Sequence, residues 1–387
     1  TCTVREETDI KVCKRLLELR ALCEQGKKLL VMGCLVAAQP ALVSEIVPKA
    51  SMLTPETLDQ VLSAVTSPNR FISLRSRTKQ VFIPRHRGGL IYTISIARGC
   101  LGECSYCIVR KARGSLISAN INDIIDAIKS AIIKGAKEIR LTSQDLAVYG
   151  FDVGLTLIDL LYEISRNVEG KFKIRLGMMN PNSVAPILDD LLKIISSDNR
   201  FYKFFHIPVQ SGDNEVLKKM RRKYDVALFK QVIGQIRRSL PDSTIATDVM
   251  VGFPEEDDVA FQHTVRLLEE IRPDKVHIAR YTPRPHTPAA RLRQIPDSVK
   301  KQRSEFLIRT MQKLLLEKNQ ALVGSVLKVL LIEKKTKNII ARAENYKPVV
   351  VLNSNVPLGL EAYVLITEAK PTYLIGRIPS THGWQQG

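Results

Sequence analysis

The sequence contains no apolar stretch that approaches the roughly 20 residues of a membrane-spanning helix. Nothing in it resembles a secretory signal peptide. We therefore expect no membrane partner. Cysteine thiols that serve as metal ligands, as argued below, fit a reducing cytosol, so we expect a cytoplasmic protein. The 387 residues, 45% of them hydrophobic, are enough for two or three domains with cores of their own.

Acidic residues are scarce relative to basic ones. The chain has 39 Asp and Glu against 58 Lys and Arg, a net charge of +19. Such a charge favours a polyanionic partner, and nucleic acid before acidic lipid, because no basic amphipathic anchor stands out. A heat-adapted surface is the alternative, but such surfaces usually raise Glu together with Lys. We therefore expect RNA or DNA binding.

The seven cysteines are an odd number, which argues against a disulfide framework. Three of them, Cys100, Cys104 and Cys107, form a C-x3-C-x2-C pattern directly after an apolar run at 90–97. A 4Fe–4S cluster usually takes a thiolate at each iron, so three thiolates leave one iron open. A structural zinc site needs a fourth ligand, and no partner pair follows downstream. The spacing resembles that of the radical S-adenosylmethionine (SAM) superfamily, whose open iron chelates SAM.

Residues 1–66 predict part of an open α/β sheet domain, in which ligands collect at the carboxyl ends of strands. Helices are predicted over 9–23, 41–47 and 55–65, and a buried strand over 28–32. The chain opens on Thr1 with no strand before it, so we expect that the start of this domain is missing. Residues 67–87, polar and basic, are predicted to form a linker.

From residue 88 to 320, strands and helices alternate. Strands are predicted over 90–97, 138–142, 173–176, 203–209, 245–251 and 275–280. Helices are predicted over 121–134, 155–166, 226–239, 257–271 and 298–320. Polar residues, Gly or Pro follow the predicted strands. In a parallel βα barrel, the loops at the carboxyl ends of the strands form the active face. Six units predict a partial (β/α)6 barrel, open at one side for a macromolecular substrate.

Residues 321–380 change to short β-branched strands separated by turns. Five strands are predicted, over 326–332, 339–342, 349–352, 361–366 and 373–378. Five strands on this scale predict a small OB-like β-barrel, and several lysines decorate it.

Further candidate cofactor-binding residues lie near the triplet or after strands. Tyr106 is placed to pack over a cluster or an adenine, with ordinary core packing as the alternative. Gln144, Gln210 and Ser211 directly follow predicted strands. Gly252 opens a turn after the fifth strand, where the backbone can approach SAM closely.

Cys2 and Cys34 occupy turn-like positions in the N-terminal domain. A lone cysteine is usually a buried structural residue, but two at such positions beside a cluster domain predict a second Fe–S site. Two thiolates cannot fill three positions, so we expect a further ligand upstream of residue 1. Cys13 and Cys23 lie close to the apolar face of a helix and are predicted core residues.

Two cationic runs are candidates for phosphate contact, with solvated surface as the alternative. The second lies at a helix end, where it also offsets the macrodipole. The runs are Arg110, Lys111 and Arg113, and Lys218, Lys219, Arg221, Arg222 and Lys223.

Along nearly its whole length the chain resembles the radical SAM methylthiotransferases. The segments that carry the resemblance are 1–6, 32–34, 99–107, 112–114, 206–212, 252–254 and 281–285. The C-terminal barrel is similar to their TRAM module, an RNA-binding fold. One departure is Glu255, which stands where relatives often have Gly.

Within the family, the loops at 141–150 and 176–181 resemble the archaeal and eukaryotic branch. That branch acts on N6-threonylcarbamoyladenosine beside the tRNA anticodon. The branches that act on isopentenyladenosine or on a ribosomal protein carry other residues in these loops, but remain alternatives. A non-catalytic RNA-binding protein with a zinc site is the alternative from another class.

The resemblance implies a mechanism and its cofactors. The cluster on Cys100, Cys104 and Cys107 passes one electron to SAM, and the resulting 5′-deoxyadenosyl radical abstracts hydrogen from C2 of adenine. A second 4Fe–4S cluster, on Cys2, Cys34 and a missing upstream Cys, carries the sulfur that attacks C2. A further SAM supplies the methyl group. The expected partners are tRNA and an electron donor protein, and we expect a monomer.

Overall fold

The computed structural model describes residues 1–3, 6–75 and 80–379. Residues 4–5 of the first resemblance segment, 76–79 of the predicted linker, and residue 380 lie outside the described residues. No helix in the described part of the chain is long and apolar enough to cross a membrane.

The N-terminal region is a three-stranded parallel sheet with helices around it. Its elements are α1 (Glu6–Glu24), β1 (Leu30–Met32), α2 (Cys34–Ala38), α3 (Pro40–Ile46), β2 (Ser51–Leu53), α4 (Val61–Thr66) and β3 (Ile72–Ser73). The strand order is β1-β2-β3. β2 was not predicted from the sequence, because its three residues lack a longer apolar run such as the one at 28–32 from which β1 was predicted. β3 lies inside the range predicted as a linker and pairs with β2 in parallel.

The central region is built from six parallel strands, as predicted, with helices between most of them. Its first half contains β4 (Ile91–Ser95), β5 (Ala97–Arg98), α5 (Val109–Arg113), β6 (Ile117–Ser118), α6 (Ile121–Ile133), β7 (Glu138–Thr142), α7 (Leu157–Asn167), β8 (Lys173–Leu176), α8 (Pro181–Val184) and α9 (Leu188–Ser197). Its second half contains β9 (Phe204–His206), α10 (Asn214–Lys219), α11 (Val226–Ser239), β10 (Thr244–Val251), α12 (Asp258–Ile271), β11 (Lys275–Arg280) and α13 (Asp297–Gln320).

These strands form one open, curved sheet. β4-β7-β8 and β9-β10-β11 are two parallel groups, and isolated parallel bridges at Ile174–Phe201 and Met178–His206 connect them. Among the described residues β11 does not pair with β4, so the barrel is partial, as the six-unit pattern predicted. β5 and β6 form a separate antiparallel pair.

Helix starts are specified locally by side-chain caps. Thr156 and Asp159 form a reciprocal capping box at α7. The Asp225 and Asp257 carboxylates accept backbone N–H groups at the starts of α11 and α12, each at 2.8 Å. These short signals explain why the predicted starts of α7, α11 and α12 agree with the observed ones to within two residues. The helices α2, α5, α8, α9 and α10 were not predicted, and the helix predicted over 55–65 begins as α4 only at Val61.

Successive side chains along each strand point to opposite faces, so the open barrel has a face that packs against the helices and an inner face. Ile174 and Leu176 of β8 are buried in the core beneath the helices, so Arg175 between them lies on the opposite face. Val249 and Val251 of β10 belong to the same core, which places Asp248 on the opposite face. We call this inner face of the partial barrel the lumen.

The C-terminal region is a closed five-stranded barrel, as predicted. Its strands are β12 (Val326–Lys335), β13 (Asn338–Ala343), β14 (Pro348–Val351), β15 (Glu361–Ala369) and β16 (Leu374–Arg377). They close in the order β12-β13-β14-β16-β15 around an aliphatic core.

The turn between β13 and β14 packs against the central region. Asp274 is nearly buried there, and its Oδ1 accepts Lys318 Nζ of α13 at 2.8 Å and Lys347 Nζ of the turn at 3.0 Å. Tyr346, from the same turn, packs on Tyr202 and Phe204 with ring centroids 4.9 and 5.0 Å away. The small barrel is therefore held at the end of the lumen where the strands begin.

Candidate metal centre and its surroundings

The three cysteines of the C-x3-C-x2-C pattern lie on the loop between β5 and α5. Gly99 precedes them with a φ of +78°, and a Cβ there would lie 1.9 Å from the carbonyl oxygen of Ser115. Glycine is therefore required for the turn. The Gly102 N–H lies 3.2 Å from Cys100 Sγ, and the Cys107 N–H donates to the Cys104 carbonyl at 3.1 Å. The backbone thus fixes three thiols on one short loop.

This loop borders a cavity of about 990 Å³. Burial raises the pKa of the Cys100 thiol and raises that of Cys107 to about 11. Both thiols therefore keep their protons at neutral pH unless a bound metal displaces them. Three soft sulfur donors on a fixed loop beside a large cavity fit a 4Fe–4S cluster with one open iron.

Cys2 and Cys34 line the same cavity. Cys34 begins α2, which packs on α5 directly after the triplet, through a small cluster that includes Ile108 and Ala112. Gly33 has a φ of +116°, and a Cβ there would lie 2.5 Å from the carbonyl oxygen of Thr1. Glycine permits this close approach, and the Cys34 N–H, which donates to the Thr1 carbonyl at 3.0 Å, holds the first residues of the chain against the strand end. Two groups of cysteines, distant in sequence, therefore meet at one cavity.

The other two cysteines lie elsewhere. Cys23 is buried in the core of the N-terminal region, as predicted. Cys13 is partly exposed, and burial and the nearby Asp9 raise the pKa of its thiol. Neither lines the cavity.

Three of the five candidate cofactor-binding residues line the cavity: Tyr106, Gln144 and Gln210. The Tyr106 ring packs edge-on against Phe253 at 6.2 Å. Gln210 has a left-handed backbone with a φ of +68°. Gln144 Oε1 and Ser143 Oγ are buried without a hydrogen-bond partner among the described residues. Unpartnered polar atoms in a cavity wall fit the binding of a polar ligand such as SAM.

The structure does not bring Ser211 or Gly252 to the cavity wall. The Ser211 side chain is fully buried, and its hydroxyl accepts the Asp213 N–H. Gly252 is needed for packing, since a Cβ there would lie 2.3 Å from Lys300 Cγ. The close backbone approach expected at Gly252 is therefore made by a lysine side chain.

The position of Arg222 beside the cysteine loop was not predicted from the sequence. This residue belongs to the second cationic run, but its guanidinium points inward, with Nη1 3.1 Å from Cys104 Sγ and Nη2 2.5 Å from Asn180 Oδ1. Asn180 in turn donates to the buried Asp145 at 2.7 Å. Such a positive neighbour stabilises negative charge on the sulfur. The only sequence signal for this arrangement is that Asp145 and Asn180 follow predicted strands.

The mouth of the cavity combines cations with an exposed aromatic ring. Arg110, Arg113, Arg221 and Lys223 line it. Phe151, also at the cavity, is 61% exposed. Cations and an accessible ring at one rim are a common arrangement for binding single-stranded RNA.

Comparison with family models matches two parts of the chain. Residues 94–268 match the radical SAM superfamily, and residues 320–378 match the TRAM domain. The first match contains the cysteine triplet, and the second contains the five-stranded barrel.

Curated relatives align over nearly the whole chain. A probable threonylcarbamoyladenosine tRNA methylthiotransferase of Pyrococcus abyssi is 40% identical over 98% of this chain and 89% of its own length. One from Archaeoglobus fulgidus has the same identity and coverage. The human threonylcarbamoyladenosine tRNA methylthiotransferase is 34% identical over 92% of this chain and 63% of its own.

Among solved structures, the chain is similar to the radical SAM methyltransferase TsrM from Kitasatospora setae, solved with cobalamin and a 4Fe–4S cluster. The TM-score is 0.57 at 12% identity, and the match covers 72% of this chain and 60% of that one. At this identity the likeness shows a shared fold.

Proposed function

The chain belongs to the threonylcarbamoyladenosine tRNA methylthiotransferase family, and from that premise we propose that it adds a methylthio group to C2 of N6-threonylcarbamoyladenosine beside the tRNA anticodon. It is a radical SAM enzyme. The observation that carries the proposal is the single cavity lined by both cysteine groups. Radical formation and sulfur transfer must reach the same carbon atom, so their cofactors have to face one space.

Cys100, Cys104 and Cys107 would hold the first 4Fe–4S cluster, and Cys2 and Cys34 would contribute to a second. When bound, the first cluster supplies the electron that cleaves SAM, and the second supplies sulfur. The protein binds, orients and excludes water around these groups. Gln144 Oε1 offers an acceptor to SAM, and Arg222 stabilises the thiolate of Cys104.

The cations at the cavity mouth support tRNA as the substrate. Arg113, Arg221 and Lys223 can neutralise phosphates around the reactive base, while the TRAM barrel offers further basic surface. A base must leave its stack to enter a cavity of this kind.

The test is nucleoside mass spectrometry after anaerobic reconstitution with iron and sulfide. The enzyme would receive SAM, a strong reductant and tRNA that carries either threonylcarbamoyladenosine or isopentenyladenosine. We expect the methylthio product only from the first tRNA. Product from isopentenyladenosine alone, or colourless protein that holds zinc without iron or sulfide, would refute the proposal.

A further inference from the structure

Three cations at the lumen and at the small barrel that packs on its end have no carboxylate within ion-pair distance in the described part of the chain. Arg175 of β8, Lys275 of β11 and Arg342 of β13 have no ion pair among the residues that the structure describes. By contrast, the neighbouring Arg140 pairs with the buried Glu138. A protein seldom gathers unpaired positive charges in a partly buried place, because each repels the others.

Arg175 is held rigidly in this position by aromatic rings. Its guanidinium carbon lies 5.0 Å from the centroid of Phe204 and 5.8 Å from that of Tyr346. The Arg342 guanidinium carbon also lies over the Tyr346 ring, 4.8 Å from its centroid. The Arg175 Nε is buried and has no hydrogen-bond partner in the described part of the chain. Stacking on these rings thus orients the planar Arg175 guanidinium, and its Nε–H donor remains available for a ligand.

The positive charges of these residues affect the pKa values of their neighbours. Burial and the charges of Arg140 and Arg342 lower the pKa of Arg175. Burial and the charges of Arg342 and Arg175 lower the pKa of Lys275. The geometry agrees: Arg175 and Arg342 both lie over the Tyr346 ring, and Lys275 pairs with Ala246, which packs in one cluster with Phe204 and Tyr346. The three cations therefore border one small region.

A second polar group lies between the cations and the cavity. His206, Asp248 and His277 occupy neighbouring positions on β9, β10 and β11, and their ligand atoms lie within 4.8 Å of one another. His206 Nε2 is 2.9 Å from Asp248 Oδ1. His206 also bridges to Met178, which lines the cavity. Since Arg175 precedes Met178 by three residues, Arg175 lies roughly 10 Å deeper along the strand direction, whereas Lys275 is in register with Ala246 and His206.

Resting on the proposed function, we propose that Arg175, Lys275 and Arg342 form an anion subsite that binds the carboxylate of the threonylcarbamoyl group. With C2 of adenine near the cavity wall, the N6 substituent extends into the lumen and ends in a carboxylate. An isopentenyl group ends in hydrocarbon and would leave these cations without a partner. The subsite is therefore a determinant of substrate specificity.

An RNA phosphate has related chemistry, but the position favours the carboxylate. Arg175 lies on the inner face of the partial barrel with its Nε buried, and the Tyr346 turn, with Arg342 beside it, packs on this end of the lumen. A phosphate backbone would remain at the rim, where Arg221 and Lys223 are exposed.

The experiment uses the reconstituted full chain and synthetic anticodon stem-loops that differ at one base. One carries threonylcarbamoyladenosine, a second its neutral carboxamide, and a third plain adenosine. The variants are Arg175→Gln and Lys275→Gln, with the exposed Lys129→Gln of α6 as the charge-matched control. Lys275 is also exposed, so its replacement is compatible with folding.

We expect both lumen variants to raise KM for the threonylcarbamoyl stem-loop roughly 10- to 100-fold, the usual effect of losing a charged hydrogen bond. Kd for the adenosine stem-loop and SAM cleavage without RNA should stay within twofold. The wild-type enzyme should prefer the carboxylate over the carboxamide, and the Arg175 variant should lose that preference. Lys129→Gln should change none of these values.

Equal weakening toward all three stem-loops would identify a phosphate contact and overturn the proposal. An unchanged preference for the carboxylate in both variants would overturn it as well. Failure of the wild-type enzyme to methylthiolate the first stem-loop would instead refute the proposed function, so the two failures are distinguishable.

Discussion

The triplet cysteines differ in their individual surroundings. Cys104 is the one contacted by the Arg222 guanidinium, whereas burial keeps the pKa of Cys100 and Cys107 high. The loop nevertheless presents all three to one cavity. Loss of any one sulfur leaves too few protein ligands to keep a cluster with a single open iron.

We expect Cys104→Ser to reduce SAM cleavage to background and to lower the iron content. The affinity for tRNA should stay nearly unchanged, because it depends on phosphate contacts. Iron analysis, 5′-deoxyadenosine formation and filter binding measure the three properties. Cys13→Ser is the control, since Cys13 does not line the cavity. Undiminished SAM cleavage in the Cys104 variant would contradict the cluster assignment.

The backbone at Glu255 explains why relatives often have Gly at this position, and nothing in the structure explains the change to Glu. Its φ is +65°, in the left-handed region where glycine is favoured. Its carboxylate pairs with Lys219 at 2.9 Å, but both side chains are largely exposed, so this pair contributes little.

Replacing Glu255 by Gly should therefore stabilise the protein by up to about 1 kcal/mol, through relief of the left-handed strain. Thermal and urea unfolding would measure the change. Glu255→Gln, which keeps the strain and removes the ion pair, should be neutral or slightly destabilising. A clear loss of stability in the glycine variant would show that the ion pair outweighs the strain.

At the scale of elements, Asp274 joins β11, α13 and the turn between β13 and β14. Burial opposes the charged carboxylate, but Lys347 and Lys318 outweigh it and lower its pKa. A lowered pKa stabilises the fold at pH values above the unfolded value of about 3.9. That contribution is lost as the pH falls through the folded pKa.

We expect Asp274→Asn to destabilise the protein by about 3 kcal/mol at neutral pH, because two partly buried lysines lose their counterion. Unfolding followed from pH 7 down to pH 3 should show a smaller acid-induced loss in the variant than in the wild type. Asp190→Asn, at an exposed pair on α9, is the matched control. Identical pH profiles for the Asp274 variant and the wild type would contradict the link.

At the scale of the whole molecule, the basic residues behind the net charge of +19 lie in different surroundings. Arg221 and Lys223 are exposed at the cavity mouth, while Arg222 between them faces Cys104. A run of basic residues therefore divides into two members exposed to solvent at the cavity mouth and one that faces the cysteine loop.

Replacing both Arg221 and Lys223 by Gln should weaken tRNA binding and reduce the slope of log Kd against log salt by roughly 1.4, if each contacts one phosphate. SAM cleavage in the absence of tRNA should not change. Binding isotherms between low and moderate salt measure the slope, and Lys129→Gln serves again as the control. An unchanged slope would place the tRNA on another face.

Local patterns in the sequence were sufficient for much of this architecture. The six parallel strands and the five-stranded barrel were predictable because alternation, β-branched residues and helix caps act over a few residues. The triplet of cysteines was predictable for the same reason, since a short covalent spacing fixes three sulfurs on one loop whatever surrounds it.

Only the tertiary structure decided which distant residues share a space. It brought Cys2 and Cys34 to the cavity of the triplet, turned Arg222 toward Cys104, and moved Ser211 and Gly252 into packing roles away from the cavity wall. It also placed Arg175 and Arg342 over the same Tyr346 ring, and Lys275 beside Ala246, which packs in the cluster of Phe204 and Tyr346. Strand pairing and domain packing set these neighbours, and residues that are far apart in sequence carry no local signal of them.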